Sequence, residues 1–368
     1  MLNQGQRKRK RMLGRLAGIA VGLAAGVCLG LLVSAMDLHF PFVQYSLPGF
    51  LASVIGTMLV GCVLVTNIHE LGHLTAGLLQ GYRLLSYRMG PVCWEYENGK
   101  MVIRFRLNKG YSGLCAMLPP KRRSGRLAHL YYYAGGILFN LLTAGLLMLW
   151  LRLGAGTLWL RDALTLIAFF SLAIGLVNLI PYFSQGNPTD GKMIWTLLAG
   201  KEEAKAYLAL TQVSAQLASG VRPGRLKLPK SLDCLPQGKL FEYYFLLDRG
   251  ELDQAWAALG ELERTIDRFP SVGVTALYYE LCFSACLRED IPKAKEWHER
   301  VQLTLDQDKD ANGLRVRAYY AWYAEGDWAG ARTLAQEGQA VLSVYPVQGQ
   351  AEMEGELLRK LLDLLDQG

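Results

Sequence analysis

Asn67-Ile68-His69-Glu70-Leu71-Gly72-His73 lies within an apolar run that begins at Phe50, passes Val65 and continues to Leu79. The pattern is His-Glu-x-x-His. Residues i and i+4 of a helix share a face, so His69 and His73 can present two imidazoles to one metal ion. Glu70 is rotated by about 100° from His69 and is placed to hold the water that such an ion activates. Ionisable side chains in an apolar helix of membrane-spanning length are costly, which favours a functional site over a polar cluster that merely bonds a neighbouring helix.

Working outward, the 368 residues are 51% hydrophobic and 19% charged, enough chain for two domains. Residues 1–200 are mostly apolar runs with basic connectors, and residues 200–368 are charged and helical in pattern. The expected fold class is mainly α: a polytopic membrane core of about four spans with a small β-hairpin connector, then a soluble α-helical repeat domain. The net charge of +7 is concentrated beside the apolar runs. It points to membrane orientation and a lipid bilayer as partner, and not to nucleic acid. The seven cysteines are odd in number and form no disulfide framework. Cys282 and Cys286, four apart on a predicted helix, either pack in a core or share a metal.

The division expected is 1–49, a basic segment and first transmembrane helix; 50–200, the metal-bearing core; 201–237, an amphipathic helix and linker; and 238–368, the repeats. Residues 1–15 carry six Lys/Arg and no acid, ahead of the apolar Leu16–Ala35. That segment is read as a retained span, with a signal peptide cleaved after Ala35 as the alternative. The second span is 50–79. The connector 80–127 holds ten Lys/Arg and a hairpin signal, Asn98-Gly99 between two strands at 91–97 and 101–107. It is either an ordinary surface hairpin or an exposed edge that holds an unwound substrate by strand addition.

The third span, 129–151, contains Ala134-Gly135-Gly136-Ile137-Leu138-Phe139-Asn140, where small residues permit close helix contact. The fourth, 162–180, ends at Asn178-Leu179-Ile180-Pro181, and Pro181 stops the helix. The basic connectors place both termini in the cytoplasm. His69, Asn178 and Asp190 then fall at similar depth. A catalytic zinc usually has three protein ligands. Asp190, followed by Gly191, is assigned as the third.

From residue 238 a pattern recurs. Arg249-Gly250-Glu251-Leu252-Asp253-Gln254-Ala255 is echoed at Arg288–Ala294 and at Glu325–Ala331, each after an aromatic-rich helix. The spacings from Ala255 to Ala294 to Ala331 are 39 and 37 residues. The segment resembles degenerate tetratricopeptide repeats and implies a protein partner; a plain helical bundle is the alternative.

Together, His69-Glu70-x-x-His73, the Gly-Gly-x-x-x-Asn of the third span, Asn178-x-x-Pro181 and Asp190-Gly191 resemble the site-2 protease family of intramembrane zinc metalloproteases, over about residues 50–200. The resemblance implies one zinc ion per chain bound by His69, His73 and Asp190. It implies Glu70 as general base and a substrate-binding role for Asn140 and Asn178. The substrate class implied is a membrane protein, of single-span type, cleaved in or near its transmembrane segment; the location is a multi-pass protein of a bacterial cytoplasmic membrane. The sequence departs from the family pattern in three ways: eight residues separate Pro181 from Asp190, Gly136 stands where many relatives have proline, and no peptide-binding domain fits between the spans, the C-terminal repeats replacing the regulatory modules some relatives carry. Two other functions remain. One is a membrane scaffold with a structural or vestigial zinc site acting through its repeats. The other is a metal transporter, disfavoured because no second polar relay leads to the opposite side.

Overall fold

A computed structural model describes residues 41–97, 100–105, 113–120, 125–154, 156–184, 187–270 and 273–367, with isolated positions at 27, 30, 31 and 34. The expected first span at 16–35 and the Asn98-Gly99 turn lie outside the described residues.

Among the described residues, three helices are long and apolar enough to cross a membrane: α1 (Leu47–Leu79), α2 (Arg126–Arg152) and α3 (Leu158–Leu179). They pack against one another in all three pairings. At 33 residues α1 is about 50 Å long. Its buried positions are Thr57, Gly61, Val65, His69, Gly72, His73 and Gly77. These recur every three or four residues, so one narrow stripe of small side chains and imidazoles meets the other helices. The opposite face, with Ile55, Leu59 and Val63, is exposed and apolar.

The closest approach is at Gly72 and Gly135. A Cβ on Gly72 would run into the Gly135 carbonyl, and one on Gly135 into that of Gly72. Gly72→Ala is therefore expected to cost about 1–3 kcal/mol through overpacking. Thermal unfolding of the purified protein checks it, with Gly56→Ala as control, because a Cβ at Gly56 meets nothing within 4 Å.

Between α1 and α2 the chain forms a four-stranded antiparallel sheet, more than the single hairpin expected. Its strands are β1 (Arg83–Met89), β2 (Val92–Glu97), β3 (Lys100–Phe105) and β4 (Gly113–Leu118), in the order β3-β2-β1-β4. The expected hairpin is the β2–β3 pair, in register from Val92 opposite Phe105 to Glu97 opposite Lys100. β4 returns to pair with β1, Tyr87 opposite Cys115. Cys115 and Met117 of β4 form a small core with Tyr82, and Leu74 of α1 and Tyr132 of α2 pack against it.

At the other end of α1, Asp162 near the start of α3 is buried. Its carboxylate accepts from the Phe42 backbone N–H at 2.9 Å and from Gln44 Nε2 at 2.7 Å. This fastens the 41–45 turn to the bundle. α3 stops at Leu179, two residues before Pro181. A two-stranded hairpin follows, β5 (Phe183–Ser184) with β6 (Asn187–Pro188), then α4 (Asp190–Leu198) and α5 (Glu202–Ala218).

A connector with two short turns leads to seven further helices: α6 (Pro236–Asp248), α7 (Leu252–Arg264), α8 (Val274–Leu287), α9 (Ile291–Leu305), α10 (Ala311–Tyr320), α11 (Trp328–Ala340) and α12 (Gln348–Gln367). They form three successive pairs and a final helix around one continuous core. The echoed alanines Ala255, Ala294 and Ala331 are each fully buried at corresponding places in α7, α9 and α11. Cys282 and Cys286 are buried in α8, with Cys282 Sγ 3.6 Å from the Ala294 carbonyl. At the centre, the Arg315 guanidinium (α10) bonds Glu280 (α8) at 2.7 Å and Glu354 (α12) at 2.5 Å. Tyr243 of α6 donates to Glu280 at 2.9 Å.

Candidate metal centre

Three elements supply the centre. α1 contributes His69 and His73 one turn apart. α4 contributes Asp190 as its first residue. α2 closes the back of the site. His69 Nε2 lies 2.9 Å from Asp190 Oδ2, His73 Nε2 lies 3.2 Å from the same oxygen, and the two Nε2 atoms are 3.2 Å apart. Ligands held at about 2.0–2.1 Å in a tetrahedron stand about 3.3 Å from one another, so this donor set fits zinc without rearrangement. Among the described residues it is the one group of three or more such side chains whose ligand atoms converge.

The surroundings support the same protonation pattern on both imidazoles. His73 Nδ1 is 2.8 Å from the Tyr132 carbonyl and donates to it, which leaves Nε2 as the free lone pair. His69 Nδ1 faces the Asn140 amide at 3.2 Å. As placed, the Asn140 nitrogen points at the ring and its buried Oδ1 has no partner. With the amide turned over, Oδ1 accepts from Nδ1–H and leaves the Nε2 lone pair of His69 free for an ion. Gly136 supplies the room: a Cβ there would sit 2.6 Å from His73 Nε2 and 2.7 Å from His69 Nε2.

Asp190 is held by the chain before it. Thr189 caps α4, its Oγ1 accepting from the Lys192 backbone N–H at 3.2 Å and donating to the Ile180 carbonyl at 2.8 Å. That carbonyl belongs to the residue before Pro181, where the helix has ended. Gly191 lies against the carbonyls of Leu179 and Asn178, where a Cβ would not fit. Burial acts to raise the Asp190 carboxyl, but while His73 is protonated its charge and hydrogen bonds from both imidazoles outweigh it and hold the group below the usual carboxylate range. Thr189→Val removes the cap and the Ile180 bond. It is expected to cost about 0.5–2 kcal/mol at this helix end and to weaken metal retention, read by chelator competition on the purified protein.

Glu70 lines the same cavity of about 270 Å³. It faces the Cys115 backbone of β4, and its stem lies against Gly113. Tyr132 donates its hydroxyl to the Cys115 carbonyl at 2.8 Å. The outer edge of β4, which no other strand among the described residues pairs, thus borders the site. For the hairpin at 91–107, a substrate-holding edge is one of two readings. Its strand β3 is at the far side of the sheet, with β2 and β1 between it and the centre.

The remaining expected residues are placed as follows. Asn140 is fully buried against His69, and its backbone carbonyl accepts from Ser171 at 2.9 Å. Asn178 lines the cavity and donates to the Ile174 carbonyl at 3.0 Å. Ser184, Asn187, Pro188 and Thr189 of the inserted hairpin form another wall. Two of the other three histidines are described. His129 is hydrogen-bonded to the Tyr82 hydroxyl. His298 is stacked on Tyr320 at 3.9 Å.

Sequence reasoning missed Tyr132, Cys115 and Thr189. Thr189 carried a signal, a threonine ahead of a helix start, which is a preferred cap. Tyr132 and Cys115 act largely through their backbone, for which side-chain identity gives no sign. Compared with protein-family models, curated proteins and solved structures, the chain matches none.

Proposed function

We propose that the chain is an intramembrane zinc metalloprotease of the site-2 protease type. It would hydrolyse a peptide bond in or near the transmembrane segment of a single-span membrane protein. The observation that carries this reading is Glu70 set beside a two-histidine, one-aspartate ligand set at the end of an apolar helix bundle. A purely structural zinc site is normally closed by four protein ligands and needs no adjacent base.

The chemistry zinc supplies when bound is a water acidified toward neutrality and a polarised scissile carbonyl. His69, His73 and Asp190 would hold it. Asn140 and the Tyr132 carbonyl orient the two imidazoles. Glu70 accepts a proton from the attacking water and passes it to the departing amine. The substrate must expose its backbone to be cut, so a helical segment has to unwind locally. The outer edge of β4 offers backbone groups to the unwound strand beside Glu70, as strand addition requires. Tyr132 already holds the Cys115 carbonyl, so pairing there is strongest for residues of β4 on either side of Cys115. Asn178, on the cavity wall, is placed to meet the substrate backbone.

The basic connectors support a cytoplasmic position for the C-terminal helices. The helix pairs with their echoed buried alanines support tetratricopeptide-like repeats that bind a protein partner.

The test is a membrane-proteome comparison of cells expressing the wild type and Glu70→Gln. A single-span protein that accumulates at full length in the variant, with its soluble fragment lost, is the expected result. Identical proteomes under several stresses would reject proteolysis and leave a scaffold acting through the helix pairs.

A further inference from the structure

A second cavity lies away from the candidate metal site. It is about 520 Å³, between α5, the connector, the first turns of α6 and the end of α7. That is the size of ordinary ligand pockets. Its apolar surface comes from Phe183, Tyr207, Leu235 and Pro270. Phe183 belongs to β5, the strand whose neighbours Ser184, Asn187 and Pro188 line the metal cavity. One hairpin therefore forms a wall of both cavities.

The polar groups around the larger cavity are unevenly used. Glu203 is paired with Lys192, whose ammonium also lies 4.9 Å from the centre of the Phe183 ring. Glu261 is paired with Lys239 at 3.2 Å. Arg264 and Arg268, both exposed on the α7 side, have no carboxylate partner among the described residues. Asp233 is on the connector side and Glu261 of α7 is paired with Lys239, so the uncompensated charge on the α7 wall is that of the two arginines. Gln237 adds an acceptor: its Oε1 is buried and has no hydrogen-bond partner. A buried acceptor left unmade is costly, and a peptide N–H would satisfy it.

We propose that this cavity docks the segment of the cleaved chain that flanks the scissile region, in extended form, with acidic side chains on Arg264 and Arg268 and aliphatic ones against Phe183 and Tyr207. The assignment to substrate rests on the protease reading above and on the shared hairpin. A strand leaving the metal cavity over Ser184 and Asn187 arrives at Phe183. The substrate class is thereby narrowed to membrane proteins with an acidic, aliphatic stretch next to the membrane. Discrimination would come from a site that does no chemistry, with binding energy from a remote part of the substrate positioning the bond to be cut.

Two titrations on the full-length protein in detergent test this. The first uses a terminally blocked hexapeptide alternating glutamate and leucine, and its lysine–leucine counterpart. The acidic peptide is expected to bind about tenfold tighter, and Arg264→Glu with Arg268→Glu to remove or invert the preference. Both arginines are exposed, so an unchanged unfolding curve confirms that the double variant is folded. Equal binding of the two peptides, or no effect of the double variant, overturns the docking site.

The second titration uses a peptide hydroxamate aimed at the metal cavity, alone and joined to the acidic segment by a tether of about four to ten residues. The joined ligand is expected to bind at least about a hundredfold tighter than the hydroxamate alone. No gain at any tether length overturns the substrate assignment. A hydroxamate that does not bind at all overturns the metal-site reading and the substrate assignment with it. The first titration still reports independently whether the cavity accepts an acidic strand.

Discussion

Zinc content and cleavage are expected to separate in Glu70→Gln and to fall together in His73→Ala. Glu70 lies beside the ligand set but contributes no atom to it. Glutamine keeps the shape and can still meet the Cys115 backbone, so the purified variant should retain about one zinc per chain. It cannot take a proton from water, and the turnover of a cleaved substrate should drop by about 10²–10⁴-fold, the usual worth of a general base. His73→Ala removes one of the three converging ligands and leaves the Tyr132 carbonyl without its donor. It should lose both metal and activity. Metal analysis and a cleavage assay on the same preparations decide the matter. If Glu70→Gln loses its zinc as His73→Ala does, Glu70 is part of the ligand shell and the assignment of roles fails.

The other large effect is expected far from the metal. Arg315 is fully buried between Glu280 and Glu354, and its guanidinium also stacks 4.1 Å from the centre of the Phe283 ring. Burial pushes the Glu354 carboxyl up, and Arg315 opposes that shift. Arg315→Met deletes the charge and leaves two buried carboxylates facing each other, at a cost of about 3–5 kcal/mol. The triple variant Arg315→Met, Glu280→Leu, Glu354→Met removes the charges together and should recover part of that loss. The remainder belongs to the Tyr243 and Tyr244 hydroxyls, which both donate to Glu280. Denaturant unfolding of the three proteins tests the order. A single variant more stable than the triple one would show that the charges are not what holds this centre together.

Much of the core was legible because its signals are local. The His69–His73 spacing, the apolar runs and the stop at Pro181 are each read within a few residues. The echoed alanines mark three buried positions because a small side chain is what close helix pairing demands there. The β2–β3 hairpin had its own turn signal. Its distance from the centre did not, because the sheet order depends on β4 pairing back to β1 across the chain. β4 reads Gly113-Leu114-Cys115-Ala116-Met117-Leu118, with no apolar–polar alternation to mark it as a strand, although only its Cys115 and Met117 face is buried, against α1 and α2. Arg315, Glu280 and Glu354 were invisible for a related reason. Each looks like an ordinary surface charge on a helix until three helices bring them together. The inserted hairpin before Asp190 was readable only as a longer loop, and its double role as a wall of two cavities is a tertiary fact.

His69 and Asp190 lie 121 positions apart in the chain. An ion held by both, and by His73, is therefore a cross-link as well as a reagent. An ion that binds only the folded arrangement stabilises it by mass action, about 2.7 kcal/mol at a hundredfold excess over its dissociation constant. Depletion of the metal should then show first as faster amide exchange in α4 and the hairpin before it, while α1 and α2 keep their protection. Metal supply would set not only the rate of the reaction but the lifetime of the assembled protein.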